Sequence, residues 1–592
     1  MDSMDVSYER VDAGAVGRKR RSKIVVTVLA SALVVAVVVC VGIGITRQGG
    51  DADGDLRKDY LRRWELRANA VKDACSTTLY PEFCASTIGN FPGLSHRPGK
   101  MEILNAAVKL GIQAVKLGSV HARSLYRPGL TFRQKTALHD CVELFDDTLD
   151  ELYDTLSDIH NMTFMAVPRH AADLETLLSG AITNQDTCFE GFTLCKGHLK
   201  QDLKGGLRNV THLVSNSLAM VRNISHEATR LLASSAKQSS HNRHLLSVFS
   251  SDEDGFPTWM SVGDRRLLQS SSSNITVNAI VAKDGSGHYT TIKAAVDAAP
   301  ENSKTRHVIH IRRGTYQENV EVHKKKINLM FIGDGKGVTV VTGSLNVKDG
   351  STTFHSATVA ITGKAFVARD MTFENTAGPS KHQAVALRVG SDLSAFYRCS
   401  FKGYQDTLYV HSLRQFYREC DIHGTVDFIF GNAAVVFQNC NLYARKPMAN
   451  QKIMYTAQGR QDPNQNTGIS IHNCNVLAES DLMAAAKGLF PVYLGRPWKE
   501  YSRTVFMQSY LDGIIEPAGF LEWNGTFALS TLYYGEYMNR GPGAGTANRV
   551  KWPGYRVISS SAEANQFTVN QFIEGDSWLP STGVKYAATL TG

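Results

Sequence analysis

The 592-residue sequence lacks the motifs of several large enzyme classes. It has no G-x-S-x-G nucleophile elbow, and Gly285-Ser286-Gly287 is typical of a turn. It has no H-E-x-x-H motif and no paired C-x-x-C motifs, so we expect no metal site and no cofactor. The glycine-rich segment 333–337 lacks the spacing of a phosphate-binding loop. A serine-elbow esterase, a zinc hydrolase and a nucleotide-binding protein are therefore disfavoured.

Composition and charge set the broad class. The chain is 43% hydrophobic and 20% charged, as expected for globular protein, and its length predicts more than one domain. Of the net charge of +9, residues 269–592 carry +7 and residues 1–268 carry +2. A basic C-terminal part can attract an acidic polysaccharide, anionic lipid or nucleic acid. On charge alone, a solvated surface that happens to be basic is an equally good interpretation.

The N-terminus predicts a membrane anchor. Residues 24–45 form an uncharged apolar run that would span about 33 Å as a helix, and a cluster of Lys and Arg residues lies at 18–23. The positive-inside rule then places residues 1–23 in the cytoplasm and everything after the anchor, residues 24–46, in the lumen or outside the cell. A cleavable signal peptide is the alternative, but it would have a shorter apolar core and an A-x-A-like exit. Five glycosylation sequons agree with secretion: Asn161, Asn209, Asn223, Asn274 and Asn524.

The region after the anchor divides into a stem and a helical domain. Residues 47–68 are charged and lack apolar periodicity, so we interpret them as a juxtamembrane stem. Residues 69–235 contain apolar stripes with helical spacing, which predict an all-α antiparallel helical bundle. Two stripes carry this prediction: Leu104, Val108, Ile112, Val115; and Leu138, Val142, Phe145, Leu149, Leu152, Leu156.

Three segments of this bundle are distinctive: Cys75 to Cys84 with Tyr80-Pro81 between them, Ala137-Leu138-His139-Asp140-Cys141, and residues 183–188. Together they resemble the plant invertase and pectin methylesterase inhibitor family. The resemblance implies a four-helix inhibitor-like pro-region. It also implies disulfides Cys75–Cys84 and Cys141–Cys188, with Cys195 free.

Residues 236–274 lose periodicity and are rich in Ser and charged groups, which predicts a linker. The linker contains the tetrads Arg243-His244-Leu245-Leu246 and Arg265-Arg266-Leu267-Leu268. Basic residues in an exposed, extended segment suit cleavage by a processing protease of the secretory pathway, which we expect to be subtilisin-like.

Residues 275–592 change to short β-rich runs with an internal repeat. Similar segments surround Cys399, Cys420, Cys440 and Cys474, at intervals of 21, 20 and 34 residues. Repeats of this length fit the coils of a parallel β-solenoid.

The register of the solenoid predicts a pair of carboxylates. Asp406 and Asp427 each lie seven residues after a repeat cysteine, so they should stack on neighbouring coils about 4.8 Å apart. Such a pair can supply a base or nucleophile beside an acid. Taken singly, each aspartate is better explained as a turn residue, and the equivalence of the two favours catalysis.

Five segments of this region resemble plant pectin methylesterases, in the order of that family: residues 314–318, 383–387, 405–408, 427–431 and 494–498. The resemblance implies a right-handed parallel β-helix, all-β in class, that hydrolyses methyl esters of homogalacturonan to pectate and methanol. It makes Asp427 the nucleophile, Asp406 the proton donor and then the base for the water, and Gln405 and Gln383 the donors to the oxyanion.

The resemblance assigns the remaining residues as well. Arg496 would orient Asp427, Trp498 would face a sugar ring, and Thr353 would contact substrate. Without the motif, each of these residues would be interpreted as structural. Cys420 and Cys440 would form a disulfide between adjacent coils, and the pairing of Cys399 and Cys474 stays open.

The sequence thus predicts a pectinesterase that modifies the cell wall, with methyl-esterified homogalacturonan, its own pro-region and the processing protease as partners and no nucleic acid. The pro-region would inhibit the enzyme or assist its folding until the linker is cut. A lyase or galacturonase on the same solenoid would need acidic or calcium-binding constellations that are not visible. The alternatives outside enzymes are a wall-anchored pectin-binding protein and a chain that acts mainly through its bundle.

Overall fold

The computed structural model describes residues 52–238, 276–485 and 488–591. The predicted cytoplasmic segment 1–23, the anchor 24–46, both cleavage tetrads and Asn274 lie outside these residues. Of the described helices, Lys100–Ser124 is long and apolar enough to cross a membrane, but its apolar side is the core of the bundle described next.

Within the described residues 52–238 there are six helices, which we number α1 to α6: Ala52–Cys75, Pro81–Gly89, Lys100–Ser124, Phe132–His160, Val167–Glu190 and Leu199–Gln238. The last four are long, and α3, α4, α5 and α6 pack against one another as the predicted antiparallel bundle. The α3 stripe is buried, and in the α4 stripe Leu138, Phe145 and Leu152 are buried while the alternate positions are half-buried. The predicted disulfides Cys75–Cys84 and Cys141–Cys188 are both present.

The segment interpreted as a stem forms most of α1, which runs without a break to Cys75. The lack of an apolar stripe was a correct observation, but it did not prevent a helix. Ala, Leu, Arg, Lys and Glu dominate this segment, and these residues have high intrinsic helix propensity.

The C-terminal part is a parallel β-helix of 26 strands in three sheets. Successive strands visit the three sheets in turn; β10, β11 and β12, for example, form one coil, and β13, β14 and β15 form the next. The strands β1 to β26 are Ala279–Val281, His307–Ile311, Gly314–Gln317, Val320–Val322, Leu329–Gly333, Thr339–Gly343, Val359–Ile361, Val367–Arg369, Thr372–Asn375, Leu387–Val389, Ser394–Tyr397, Ser400–Lys402, Leu408–Val410, Arg414–Arg418, Asp421–Gly424, Ile429–Gly431, Ala434–Gln438, Asn441–Ala444, Ile453–Gln458, Gly468–His472, Asn475–Ala478, Val492–Pro497, Arg503–Met507, Tyr510–Leu511, Tyr533–Tyr537 and Tyr555–Val557.

Short helices complete this part of the chain. They are α7 (Ile292–Ala298), α8 (Ser480–Met483), α9 (Ser561–Asn565), α10 (Val569–Ile573) and α11 (Gly575–Trp578). The Glu318 carboxylate accepts hydrogen bonds from the first backbone N–H groups of α7, at 3.0 Å from Ile292 N and 3.0 Å from Lys293 N. Tyr316 is buried and donates to Arg312 O at 2.9 Å, so both residues support the fold.

The predicted repeat register is confirmed. Tyr397 pairs with Arg418, Arg418 with Gln438, and Gln438 with His472, so the four repeat cysteines follow equivalent positions on consecutive coils. Inside the coils, aromatic rings stack in the same register, at 4.7 Å between Phe396 and Tyr417 and 4.6 Å between Tyr417 and Phe437.

The predicted disulfide between Cys420 and Cys440 is not formed, and both residues are buried free thiols. Each sulfur lies near the carbonyl oxygen two residues earlier on its own coil, at 3.4 Å from Arg418 O and 3.6 Å from Gln438 O. Each sulfur also lies 3.4 Å from a carbonyl oxygen of the preceding coil, Phe396 O for Cys420 and Tyr417 O for Cys440. Cys399 and Cys474 are buried free thiols of the same ladder, and Cys195 is also free.

The bundle covers the outer face of the seven-stranded sheet, which consists of β4, β7, β10, β13, β16, β19 and β22. The apolar core of the bundle continues without interruption into side chains of this face. The contributing residues of the β-helix are Phe354, Ala357, Ala360, Val385, Tyr409, Phe430 and Ala457.

Candidate active site

Asp406 and Asp427 occupy equivalent positions at the start of two neighbouring coils. Each lies two residues before a strand of the seven-stranded sheet, and Leu408 pairs with Ile429 in that sheet. Both aspartates have a left-handed backbone, with φ of 62° and 51°, a conformation that Asp tolerates better than most residues. The predicted stacking of the two carboxylates is therefore confirmed by the strand register.

A glycine keeps the coils in contact beside this pair. Gly431 ends the strand after Asp427 and has a φ of 132°. A Cβ atom at this position would lie 2.0 Å from Val410 O on the preceding coil. Only glycine therefore allows the two coils to approach here.

Arg496 fixes the Asp427 carboxylate. Its strand pairs with β19, which places Arg496 opposite Ala457, two coils from the Asp427 strand. The guanidinium donates to both oxygens, at 2.9 Å from Nε to Oδ1 and 2.6 Å from NH2 to Oδ2. This two-point contact favours an ionised and oriented carboxylate. On its other side, the Arg496 guanidinium lies 4.3 Å from the centre of the Trp523 ring.

The electrostatics separate the two carboxyl groups. Asp406 is 7% exposed, and both hydrogen bonds of the Arg496 guanidinium go to Asp427 rather than to Asp406. Burial raises the pKa of Asp406 well above its ordinary range; the charge of Asp427 raises it further, while Arg496 opposes these shifts. The two carboxyl groups therefore lie in different environments: Asp427 is paired with a guanidinium, whereas burial of Asp406 favours its protonated form.

All seven predicted catalytic and substrate-binding residues line one cavity of about 360 Å³: Thr353, Gln383, Gln405, Asp406, Asp427, Arg496 and Trp498. Gln383 and Gln405 are half-buried on the two coils on one side of Asp427. Trp498 packs edge-on against Phe430, with ring centres 5.9 Å apart. The structure thus brings together side chains that are separated by up to 145 positions in the sequence.

Four aromatic residues of the cavity were not predicted from the sequence: Phe354, Tyr409, Phe430 and Trp523. Tyr409 and Phe430 lie on paired positions of β13 and β16, and their rings stack at 4.2 Å. The repeat register could have found both, because each lies three residues after one of the aspartates. Trp523 lies in a loop outside the repeats, and no pattern in the sequence indicated it.

The bundle forms one wall of the same cavity. The lining residues from the bundle are Arg133, Thr187, Glu190, Gly191, Thr193 and Leu194. Arg133 is placed by the capping box that starts α4, in which Thr131 and Gln134 exchange hydrogen bonds, and its guanidinium donates to Val347 O. These residues were not predicted from the sequence, because their place in the cavity wall depends on where the bundle packs.

Ion pairs connect the bundle to cations around the cavity. Lys499 Nζ lies 2.7 Å from an Asp186 oxygen and 2.7 Å from a Glu190 oxygen. Burial raises the pKa of Glu190 to about 7, the Lys499 cation lowers it, and Asp186 raises it. Arg388 pairs with Glu143 at 3.3 Å.

Two further cations of the β-helix are paired by carboxylates of the bundle. Arg414 pairs with Asp173 at 2.8 Å, and Lys324 pairs with Asp150 at 2.7 Å. In all four contact regions the carboxylates come from the bundle and the cations from the β-helix.

The predicted glycosylation sites differ in exposure. Asn161, Asn209 and Asn524 are exposed or half-buried at the surface, and Asn223 is half-buried on α6. Their glycosylation stays a prediction.

Comparisons with known proteins agree with the two-part architecture. The family model described as "Pectinesterase" matches residues 278–576, and the one described as "Plant invertase/pectin methylesterase inhibitor" matches residues 69–220. "Pectinesterase 2" of Arabidopsis thaliana is 55% identical over 530 residues, which cover 88% of this chain and 90% of that protein. "Pectinesterase/pectinesterase inhibitor 3" of Arabidopsis thaliana is 52% identical and covers 91% and 94%.

Among solved structures, the pectin methylesterase from carrot is 61% identical, with a TM-score of 0.53. The match covers 54% of this chain and 100% of the carrot protein. The whole carrot chain is thus matched by about half of this chain.

Proposed function

The chain belongs to the pectinesterase family and is a carboxylic ester hydrolase with an inhibitor-like pro-region, and on this basis we propose that it demethylates homogalacturonan through its two stacked aspartates. The observation that carries the proposal is the difference between the surroundings of Asp427 and those of Asp406 in the cavity. Asp427 is held by two hydrogen bonds from Arg496, and the pKa of Asp406 is raised well above its usual range by burial and by Asp427.

In the first step, an oxygen of Asp427 attacks the carbonyl carbon of the methyl ester. The bond to the methoxy group breaks, and protonated Asp406 gives its proton to the leaving oxygen, so that methanol departs. The galacturonyl group remains joined to Asp427 as an anhydride. Gln405 and Gln383 line the cavity, and their amide N–H groups stabilise the tetrahedral oxyanion without neutralising either aspartate.

In the second step, Asp406, now ionised, takes a proton from water. The resulting hydroxide equivalent attacks the galacturonyl carbonyl carbon of the anhydride, the bond to Asp427 breaks, and the free carboxylic acid is released and loses its proton to the solvent as galacturonate. Asp406 is again protonated and Asp427 is again a carboxylate. Arg496 stays paired to Asp427 in the free enzyme and so returns it to the reactive orientation.

The aromatic residues provide the surface for the sugar chain. Trp498 and Trp523 flank Arg496, while Tyr409 and Phe430 form the stacked floor between the aspartates and the bundle. Aromatic faces suit the apolar faces of sugar rings, and Thr353 offers a hydroxyl at the edge of the cavity. The +7 charge of residues 269–592 favours an acidic polymer.

We propose that the pro-region masks this site until the linker is cut. The bundle walls the cavity through six residues, and its carboxylates pair with cations of the β-helix that would otherwise be open to an acidic polymer. A long polysaccharide cannot enter a cavity of about 360 Å³ that is closed on one side by a folded domain. Cleavage at RHLL or RRLL by a subtilisin-like protease would then release the enzyme into the cell wall, and the predicted anchor would hold the uncut chain at a membrane of the secretory pathway.

A folding role for the bundle has its own support. The bundle and the β-helix share one apolar cluster through Tyr409, Phe430 and Ala457, so the bundle buries a face that would be open while the β-helix folds. Masking and assisted folding predict different results after separation. Masking predicts that specific activity rises when the bundle leaves, whereas folding assistance alone predicts no change in chains that have already folded.

The test compares the uncut chain with the chain cut in the linker and freed of its bundle. We expect methanol release from methyl-esterified homogalacturonan only after separation, and re-addition of the bundle should suppress it. Equal specific activity before and after separation would exclude masking. No methanol from separated, folded β-helix would exclude the esterase mechanism at this site.

A further inference from the structure

His139, Asp140 and His355 form a cluster at the junction between the bundle and the β-helix. His139 and Asp140 lie on α4, and His355 follows the cavity residues Thr353 and Phe354. One nitrogen of each imidazole and one oxygen of the carboxylate all lie within 4.8 Å of one another. The two imidazole rings meet edge to face, with centres 6.0 Å apart.

Asp140 has an oxygen that its surroundings leave without a hydrogen bond. The residue is 1% exposed, and its Oδ2 accepts a hydrogen bond from Thr352 Oγ1. Its Oδ1 is buried and accepts no hydrogen bond from the described residues. His355 Nδ1 lies 3.5 Å from Oδ1, which is at the outer limit for a hydrogen bond. A buried carboxylate oxygen without a donor is costly unless a cation satisfies it.

From this geometry we propose that His139, Asp140 and His355 bind a divalent transition metal ion of the zinc class, and that the ion joins the pro-region to the enzyme. Two imidazole nitrogens and one carboxylate oxygen form a donor set that suits Zn²⁺, whereas Ca²⁺ and Mg²⁺ prefer oxygen ligands throughout. A water molecule completes four-coordination.

The surrounding residues fit a ligand role for Asp140. Thr352 holds one carboxylate oxygen and leaves the other directed at the imidazoles, which is how neighbours orient a ligating carboxylate. Thr352 Oγ1 in turn accepts from His355 N at 3.0 Å, so the same hydroxyl fixes the backbone of the second ligand. His139 is exposed and the His355 side chain is 44% exposed, so both rings can rotate to bring their nitrogens to bonding distance of an ion.

The nearest cation does not prevent binding. Arg388 lies against the face of Phe354, 3.4 Å from the ring centre, and pairs with Glu143 on α4 at 3.3 Å. The positive charge beside the cluster is thereby compensated by a carboxylate of the bundle.

The site would hold the two parts together, because two ligands belong to the bundle and one to the β-helix. An ion that binds only the docked arrangement shifts the docking equilibrium about 100-fold when its concentration is about 100 times its dissociation constant. After the linker is cut, zinc would therefore delay the departure of the bundle and a chelator would hasten it. This holding role rests on the proposed masking of the active site, whereas the metal site itself does not.

The first experiment titrates the intact full-length chain with Zn²⁺ by calorimetry, and with Co²⁺ by absorption spectroscopy. We expect one high-affinity ion per chain and the visible bands of four-coordinate Co²⁺. His139→Gln and His355→Gln should each weaken binding by more than about tenfold and abolish these bands. The matched control is His160→Gln, which removes another exposed histidine of α4 and should bind as the unaltered chain does. Unchanged affinity in His139→Gln and His355→Gln would overturn the site, as would an unaltered chain that binds no Zn²⁺.

The second experiment cuts the linker and follows the separation of the bundle from the β-helix by size-exclusion chromatography, with Zn²⁺ or with EDTA. We expect slower separation with Zn²⁺ in the unaltered chain and in His160→Gln, and no effect of Zn²⁺ in His355→Gln. Binding without any effect on separation would overturn the holding role and leave the site in place. Neither readout depends on ester hydrolysis, so failure here is distinct from failure of the proposed enzymatic function.

Discussion

The β-helix encloses its main core within its own coils, whereas the bundle completes its core with side chains of the β-helix. The coils of the β-helix are joined by continuous parallel ladders, and stacked rings such as Phe396 and Tyr417 fill their interior. The bundle is held by two disulfides and by the outer face of the seven-stranded sheet.

This difference has a functional consequence. The β-helix residues that complete the bundle core include Tyr409 and Phe430, which also form the floor of the candidate active site. The enzyme can therefore lose the bundle and keep its own core, whereas the bundle loses part of its core when it leaves. Four predictions test this asymmetry.

The largest effect is expected from Asp427→Asn in the β-helix. The amide is a far weaker nucleophile than the carboxylate, so methanol release by the separated enzyme should fall by about a thousandfold or more. Thermal stability should change little, because the amide oxygen of Asn has nearly the shape of the carboxylate and still accepts a hydrogen bond from Arg496. The matched control is Asp421→Asn. Asp421 begins β15 on the eight-stranded sheet rather than in the cavity, so this variant should keep its activity. Near-normal turnover in Asp427→Asn would refute its role as nucleophile.

The second prediction compares cysteines of the two regions. Replacing Cys141 and Cys188 together by Ala should destabilise the bundle by about 2–5 kcal/mol, because a disulfide that closes a long loop is lost. Replacing Cys420 and Cys440 together by Ala should cost the β-helix about 1 kcal/mol per site, since only buried sulfur is lost. Hydrogen exchange measured region by region separates the two effects. An equally large loss in the β-helix would mean that Cys420 and Cys440 are joined in the folded protein.

The third prediction concerns the ion pairs between the regions. Lys499→Met leaves the carboxylates of Asp186 and Glu190 without their cation in a half-buried contact. We expect the cut bundle to bind about 2–3 kcal/mol more weakly, which is a loss of roughly 30-fold to 150-fold in affinity. Binding of the separated bundle, measured by calorimetry, provides the value. The control is Lys293→Met, which removes an exposed ion pair with Asp297 and should leave binding unchanged. A similar loss of affinity in this control would mean that the effect of Lys499→Met does not come from the contact with the bundle.

The smallest effect is expected from pH. Burial raises the pKa of Asp147 to about 7, with Glu143 and Asp150 adding to the shift and Lys324 and Arg388 opposing it. Burial likewise raises the pKa of Glu175 to about 7, where Glu574 adds to the shift and Arg222, Arg503 and Arg460 oppose it.

Raised carboxyl pKa values stabilise the docked state when the groups are protonated. This stability is fully present below the ordinary carboxyl pKa of about 4 and is lost as pH rises through about 7. Because nearby cations compensate part of the loss, we expect the cut bundle to dissociate about tenfold more readily at pH 8 than at pH 5. Glu175→Gln should flatten this dependence, and the exposed Glu82→Gln should not. Tighter docking at pH 8 would contradict the assignment.

The repeats made much of the site predictable. The spacing of Asp406 and Asp427 from Cys399 and Cys420 determined that the two carboxylates stack, because coils of equal length place equivalent residues side by side. The same register also pairs Tyr409 with Phe430, but the stacking of these two rings was not predicted. Trp523 could not be predicted from the register, because the loop that carries it belongs to no repeat.

The disulfide predicted between Cys420 and Cys440 is not formed, which shows that strand register alone does not establish a disulfide. The sequence correctly aligned the two cysteines on adjacent coils, but alignment does not orient a side chain. Each sulfur lies near the carbonyl oxygen two residues earlier on its own coil and near a carbonyl oxygen of the preceding coil, and both residues are free thiols.

The sequence by itself determined the helical and β-helical classes, the order of the two regions and the stacking of the aspartates, because each follows from periodicity along the chain. Only the tertiary structure decided that the bundle covers the catalytic face, that Lys499 meets Asp186 and Glu190, and that His139 and Asp140 face His355. Periodicity is a local property, and it records which face of an element is apolar. The partner for that face is chosen by shape and charge across hundreds of residues, and that choice places the bundle against the candidate active site.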